Sequence, residues 1–296
     1  MRLGVDLGGT KTEIVALADD GSELLRQRIA SPQGAYMDTV MAIVGLVEAA
    51  ENALEQRGSV GIGIPGAESR TSGLIKNANS TWLIGKPLRR DLQALLQREV
   101  RIANDANCFA LSEAADGAGA GAAVVFGVIL GTGVGGGIVV NRQIIDGANS
   151  IAGEWGHNPM PGEPDELPVC YCGRHGCIET YLSGPGLAAD HRRIAGNDLS
   201  PEDIVARAAE GDAACEATLQ RYEERLARAL SGVINILDPD VIVLGGGLSN
   251  LDRLYVNVPQ RWERHVFSDS VATRLLKHRH GDSSGVRGAA WLWPAV

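Results

Sequence analysis

Three of the five cysteines, Cys170, Cys172 and Cys177, fall in one C-x-C-x4-C run, CYCGRHGC. Gly173 and Gly176 permit the tight turns that would aim three sulfurs at one point. Thiolates so spaced suit a tetrahedral zinc ion completed by a histidine, and either His157 upstream or His175 inside the loop could be that ligand. Spacing alone does not choose between them. The plainer alternative is a set of reduced cysteines in a glycine-rich loop, since a Cys170–Cys172 disulfide would be strained. With four protein ligands no coordination position stays open, so the metal would act as a clamp on its neighbours Glu154, His157 and Glu179. Carboxylates and an imidazole held together offer the acceptors and donors that sugar hydroxyls need.

A second kind of chemistry is written in glycine. Apolar strands run into glycine turns at LGGTK (7–11), GTGVGGG (131–137) and GGG (245–247). Glycine lets backbone N–H groups approach a phosphate and form an anion nest. The first turn satisfies neither G-x-x-x-x-G-K-[ST] nor G-x-G-x-x-G, since the glycine spacing before Lys11 is wrong and no helix follows, and a tight hairpin wants glycine for its own sake. Their recurrence, with Asp6 and Lys11 bracketing the first, favours nucleotide binding. Asp6 would hold Mg²⁺ through water, and Lys11 would neutralise phosphate charge. Asn104-Asp105 sits between a strand and a helix. Both residue types cap helices, and a carboxylate there can also accept an alcohol proton during phosphoryl transfer. Cys108 and Cys215 read as small buried apolar residues.

The elements that must position these groups follow from hydrophobic period. Strands are expected at Leu3–Leu7, Thr12–Leu17, Glu23–Ile29, Val60–Ile64, Val100–Ala103, Val124–Leu130, Ile138–Val140 and Val241–Leu244. Helices are expected at Asp38–Gln56, Asp91–Glu99, Ala106–Ala115, Ala213–Leu237 and from Ser284 towards Trp291 and Trp293. The small-residue stretch Gly117–Ala123 reads as a hinge, after which the strand–glycine turn–strand pattern returns. That repetition points to two related lobes: residues 1–117 with 285–296, and residues 118–284 with the cysteine loop.

A net charge of −9 and aromatic content of 4% argue against a nucleic-acid surface. Asp6 interrupts what would be a signal peptide, and the apolar run 124–140 is broken by glycines and shorter than the roughly 20 residues a membrane helix needs. A cytoplasmic protein without membrane or nucleic-acid partners is expected.

These motifs together resemble the ROK sugar kinases, along the whole chain. DLGGTKTE (6–13), GIPG (63–66), NDANCFALSEA (104–114), GTGVGGG (131–137), AGEWGH (152–157), CYCGRHGCIE (170–179) and DPDVIVLGGG (238–247) carry the resemblance. It implies an α/β, actin-like ATPase (ribonuclease H-like) fold of two lobes, binding ATP, Mg²⁺ and a hexose, with a structural Zn²⁺ on His157, Cys170, Cys172 and Cys177. Asp105 would be the catalytic base, acting on a hexose 6-hydroxyl. Gly66, Asn79, Asn104, Asp105, Glu154, His157 and Glu179 would contact the sugar, His157 serving zinc and sugar through its two nitrogens. Gly4, Val5, Asp6, Leu7, Gly8, Gly9, Thr10 and Lys11 match one phosphate segment. Thr132, Gly133, Val134, Gly135, Gly136, Gly137, Ile138, Val139 and Val140 match the other, with Gly245, Gly246 and Gly247 near the adenosine. A homodimer is also implied. Some relatives are repressors with a DNA-binding module ahead of this core; the first strand starting at Leu3 speaks against that here. The run KNANSTW (76–82) and the C-terminal HGDSSGVRGAAWLWP (280–294) look most like fructokinases that also take mannose, so fructose is the expected substrate, with N-acetylglucosamine or glucose the alternative.

Overall fold

The computed structural model describes residues 1–296 apart from 79, 164–166, 282–283 and 295–296. Backbone contacts divide the chain into two compact units. The first comprises Met1–Gly121, Gly137–Ala152 and Arg279–Val296; the second comprises Ala122–Gly136 and Gly153–His278.

The first unit is built on five strands: β1 (Arg2–Leu7), β2 (Lys11–Leu17), β3 (Glu23–Ala30), β4 (Ser59–Ile64) and β7 (Val100–Asn104). They form one sheet in the order β3-β2-β1-β4-β7. β1, β2 and β3 pair antiparallel, and β4 and β7 run parallel to β1. Leu7 faces Thr12 across the first hairpin, so Gly8, Gly9 and Thr10 form its tip. A small hairpin of β5 (Ala67–Glu68) and β6 (Ile75–Lys76), unforeseen from the sequence, follows β4. Helices α1 (Tyr36–Leu54) and α2 (Leu88–Leu96) contribute Val40, Ile43, Val47, Leu88 and Leu92 to the core formed with Leu3, Val5, Ile14 and Ile62. α3 (Asp105–Ala115) leaves the end of β7 directly.

The second unit has a parallel arrangement of β8 (Val124–Leu130), β11 (Val241–Gly245) and β12 (Arg274–Lys277), with β11 pairing to both others. β9 (Val134–Val140) begins in this unit and, from Gly137, belongs with β10 (Gln143–Ile144) to the first. This corrects the expected turn over 131–137: only Gly131–Gly133 turn, and Gly135–Gly137 are strand. Their glycines serve close packing, because a Cβ at Gly136 would lie 2.7 Å from the Gly153 carbonyl and one at Gly137 2.7 Å from that of Ala106.

Helices α4 (Glu179–Leu182), α5 (Gly184–Ala195) and α6 (Pro201–Ala209) precede α7 (Ala213–Leu237), and α8 (Arg253–Trp262) follows β11. α7 spans the range its period predicts, capped by the Asp212 carboxylate on the Ala214 and Cys215 N–H groups. Ser183 and Ser200, each just before a helix with proline in its first turn, announce α5 and α6 once their caps are seen. Among the described residues, no helix is long and apolar enough to cross a membrane.

α9 (Ser284–Trp291) returns to the first unit and lies on β1 and β4. A Cβ at Gly4 or Gly61 would collide with the Val286 or Ala289 carbonyl, and one at Gly288 with that of Cys108. Glycine at these three places lets α9 sit directly on the sheet and on α3.

Candidate functional site

The cysteine loop folds as two isolated bridges, Pro159 with Cys177 and Val169 with His175. Gly173 (φ 85°) and Gly176 (φ 68°) take left-handed turns between them, as their placement beside the cysteines suggests. Cys170 N–H donates to Arg174 O at 2.8 Å, and Gly176 N–H to Pro168 O at 2.8 Å. The result gathers His157 Nδ1 and the sulfurs of Cys170, Cys172 and Cys177 within 4.8 Å of one another. His175, the other candidate by spacing, is not among the clustered groups.

The distances suit a tetrahedral ion. Zinc–sulfur bonds of about 2.3 Å and zinc–nitrogen bonds of about 2.0 Å require tetrahedral edges of roughly 3.8 Å (S···S) and 3.6 Å (S···N). Cys172 Sγ lies 3.7 Å from Cys177 Sγ, and Cys170 Sγ lies 3.6 Å from His157 Nδ1. All the cysteines are free thiols. The Cys172 thiol is pushed down to about 6, first by the backbone N–H and then by the side chain of Arg174. Burial beside the other sulfurs pushes Cys177 up to about 12. A divalent cation would relieve that crowding of charge.

The clamp's neighbours are fixed onto the start of β9. Trp155 is buried, edge-on to Phe126 at 5.8 Å, and its Nε1–H donates to Gly135 O at 3.3 Å. Glu179 Oε2 accepts the Val134 N–H at 2.9 Å. Thus Glu179, expected to hold the sugar, also orients the segment expected to bind phosphate. Glu154 stands just ahead of the 3₁₀ turn Trp155–His157. His157 Nε2 lies 3.0 Å from the hydroxyl of Tyr171, a residue not singled out from the sequence. Tyr171 is 80% exposed, so the contact can yield to another partner.

In the first unit, Asn104 and Asp105 combine both expected roles. Asn104 is the N-cap of α3: its Oδ1 accepts the Ala106 N–H at 2.9 Å, and its Nδ2–H donates to Gly66 O at 3.1 Å. Gly66 has φ 130° and room for no Cβ beside Ala78. Asp105 is the first helical residue, its Oδ1 2.8 Å from the same N–H. α3 therefore starts one residue earlier than its period suggests. Asp6, at the end of β1, lies close enough to feel Asp105. Burial first, then the Asp105 charge, pushes its carboxyl up to about 7, with Lys11 opposing. Gly63 and Gly285 border it: a Cβ at either would come within 3.5 Å of an Asp6 oxygen. Cys108 is fully buried, as expected, and its thiol is pushed up by burial and then by Asp6 and Asp105. In the second unit Gly246 (φ 81°) ends β11, where a Cβ would lie 2.5 Å from Leu130 O. Asn79, expected at the sugar, lies outside the described residues.

The sequence does not single out Glu113, which is completely buried in α3. It accepts from Ala118 N–H (2.9 Å), Arg279 N–H (3.0 Å) and Ser284 O–H (2.8 Å). A glutamate in the middle of an apolar helix run is the signal that could have found it.

The family model described as "ROK family" matches residues 2–296. The chain is 42% identical to an N-acetyl-D-glucosamine kinase of Photobacterium profundum, over 99% of both chains. It is 41% identical to one of Vibrio cholerae, again over 99% of both. Among solved structures it superposes on the ROK hexokinase from Thermus thermophilus with a TM-score of 0.88 and 27% identity, covering 98% of this chain and 96% of that one. A ROK family glucokinase from Streptomyces griseus, in complex with glucose and AMPPNP, gives 0.76 and 26%, covering 98% of each. These likenesses, along the full length of a chain with this α/β topology and this cysteine cluster, make it a member of the ROK family with the actin-like ATPase fold.

Proposed function

We propose that the protein is an ATP-dependent sugar kinase whose substrate is N-acetyl-D-glucosamine. The observation that carries the sugar assignment is the 42% identity, end to end, to a protein named for that activity. The fructose expectation rested on two short runs, KNANSTW and the C-terminal tail, and full-length similarity outweighs them. Likeness to a hexokinase and to a glucokinase that binds AMPPNP supports phosphoryl transfer from a nucleotide.

In this reading Asp105 accepts the proton of the attacking sugar hydroxyl, held in place by the first turn of α3. Asn104, Gly66, Glu154, His157 and Glu179 contact the sugar; Glu154 and Glu179 accept from hydroxyls, and His157 Nε2 takes one in place of Tyr171. Gly4 to Lys11 and Thr132 to Val140 hold the phosphates, and Gly245 to Gly247 border the adenosine. Mg²⁺ would supply charge neutralisation on the phosphates. Asp6 would hold it, since a buried carboxylate beside Asp105 is a hard oxygen donor in want of positive charge. A zinc ion on His157, Cys170, Cys172 and Cys177 would have its four positions filled by protein and would keep Glu154 to His157 and Glu179 ordered.

ATP-dependent ADP release by the purified protein, measured in parallel on N-acetylglucosamine, glucose, fructose and mannose, tests the assignment. The highest kcat/KM is expected for N-acetylglucosamine. A fructose preference would return the substrate to the one the short runs suggested, and no turnover on any would overturn the kinase reading.

A further inference from the structure

The tip of the first hairpin is held from one side. Ser31 Oγ–H donates to Gly8 O at 2.7 Å, Gln33 Nε2–H to Gly9 O at 3.1 Å, and Ser31 N–H to Thr10 O at 3.0 Å. Three successive carbonyls of the Gly8-Gly9-Thr10 turn therefore point at one short strap, residues 31–33, that follows β3. Because Ser31 spends its proton on Gly8, the Thr12 hydroxyl must donate to Ser31 Oγ, 2.8 Å away. Thr12 is completely buried and Ser31 nearly so, which fixes the direction of this relay.

A trans peptide sets the N–H of each residue opposite the carbonyl of the one before it. The structure has no cis bond among the described residues. Turning the carbonyls of Gly8, Gly9 and Thr10 towards the strap turns the N–H groups of Gly9, Thr10 and Lys11 away from it. Among the described residues, neither the Gly9 nor the Thr10 N–H meets an acceptor, and both residues are exposed. Successive outward N–H groups form a nest for an anion.

We propose that Ser31 and Gln33 are positioning residues for nucleotide phosphate, acting through the hairpin tip they hold rather than by touching the ligand. This rests on the kinase reading above. Without the strap, glycine at 8 and 9 would let these peptides rotate, and ordering them would be charged against nucleotide binding.

The test is titration of wild type, Gln33→Met, Ser31→Ala and the double variant with MgATP by calorimetry, with KM for ATP and for sugar measured alongside. Gln33 is exposed, so its replacement by methionine removes the donor without disturbing the core. Each lost hydrogen bond is expected to raise Kd and KM for ATP about three- to tenfold, the double variant more. In Gln33→Met the sugar KM and the melting temperature should not move. ATP affinity within about twofold of wild type in Gln33→Met and the double variant overturns the strap. Weakening that falls equally on ATP and sugar also overturns it, as loss of general order. Wild-type protein that binds no MgATP at all is a different failure, that of the kinase reading.

Discussion

At the scale of single residues, the proposed chemistry turns on Asp6 and Asp105. Replacing Asp105 by asparagine keeps the shape and the contact to the Ala106 N–H but removes the base. Turnover should fall about 10²- to 10⁴-fold, with sugar affinity, measured by calorimetry, nearly unchanged. Turnover near wild type would exclude Asp105 as the base. Asp6 makes a prediction about stability. Its carboxyl is raised in the folded state, from 3.8 to about 7, so the native protein binds more protons than the unfolded chain between these values. Stability from this group therefore declines as pH rises through that window. Asp6→Asn should raise the melting temperature at pH 8 in magnesium-free buffer, the gain shrinking towards pH 4, while activity is lost. A variant no more stable than wild type at pH 8 would contradict the burial cost. The places of Asp6 near a strand end, of Asp105 at a helix start and of the cysteines in one cluster were legible in the sequence because their neighbours announce them. Ser31, Gln33 and Tyr171 were not: a serine, glutamine or tyrosine acquires a role only through the atoms that the fold brings to it.

Elements carry the next layer. The cysteine loop is held by two bridges and a few turn hydrogen bonds, and in the proposed reading an ion on its four ligands completes its order. Zinc removal by chelation, or Cys172→Ser, should raise the sugar KM by at least about tenfold, with a smaller change in KM for ATP. Unchanged sugar kinetics in protein shown to be zinc-free would refute the clamp. α9 makes the opposite case, an element positioned by missing side chains. Gly61→Ala forces a methyl into the Ala289 carbonyl and should cost about 1–3 kcal/mol in urea unfolding. At this scale the sequence spoke clearly where apolar period was long, as in α7. It was silent over α4 to α6, and for α5 and α6 the evidence lies in their serine caps. It misjudged 131–137, because glycines needed for close packing of a strand look the same as glycines needed for a turn.

On the scale of the whole molecule, long-range ties close the first unit. Glu113 gathers donors from residues 118, 279 and 284, so one carboxylate links the first unit's long N-terminal stretch to its C-terminal one. Asp116 does the same with His280 and Arg287. Glu113→Ala strands several buried donors and should lower the unfolding free energy by about 3 kcal/mol or more. A loss below about 1 kcal/mol would mean that water replaces the carboxylate. The motifs made the family legible in the sequence, since each of them answers to a shared reaction. Which sugar the protein prefers was not, because two short runs could not stand against similarity along the whole chain. The most direct test of the account is a competition: equimolar N-acetylglucosamine and fructose in one vessel with limiting ATP, the two sugar phosphates resolved by mass spectrometry. Their ratio is the ratio of kcat/KM. An excess of N-acetylglucosamine phosphate by about tenfold or more is predicted; an excess of fructose phosphate would contradict the substrate assignment while leaving the fold and the cysteine cluster in place.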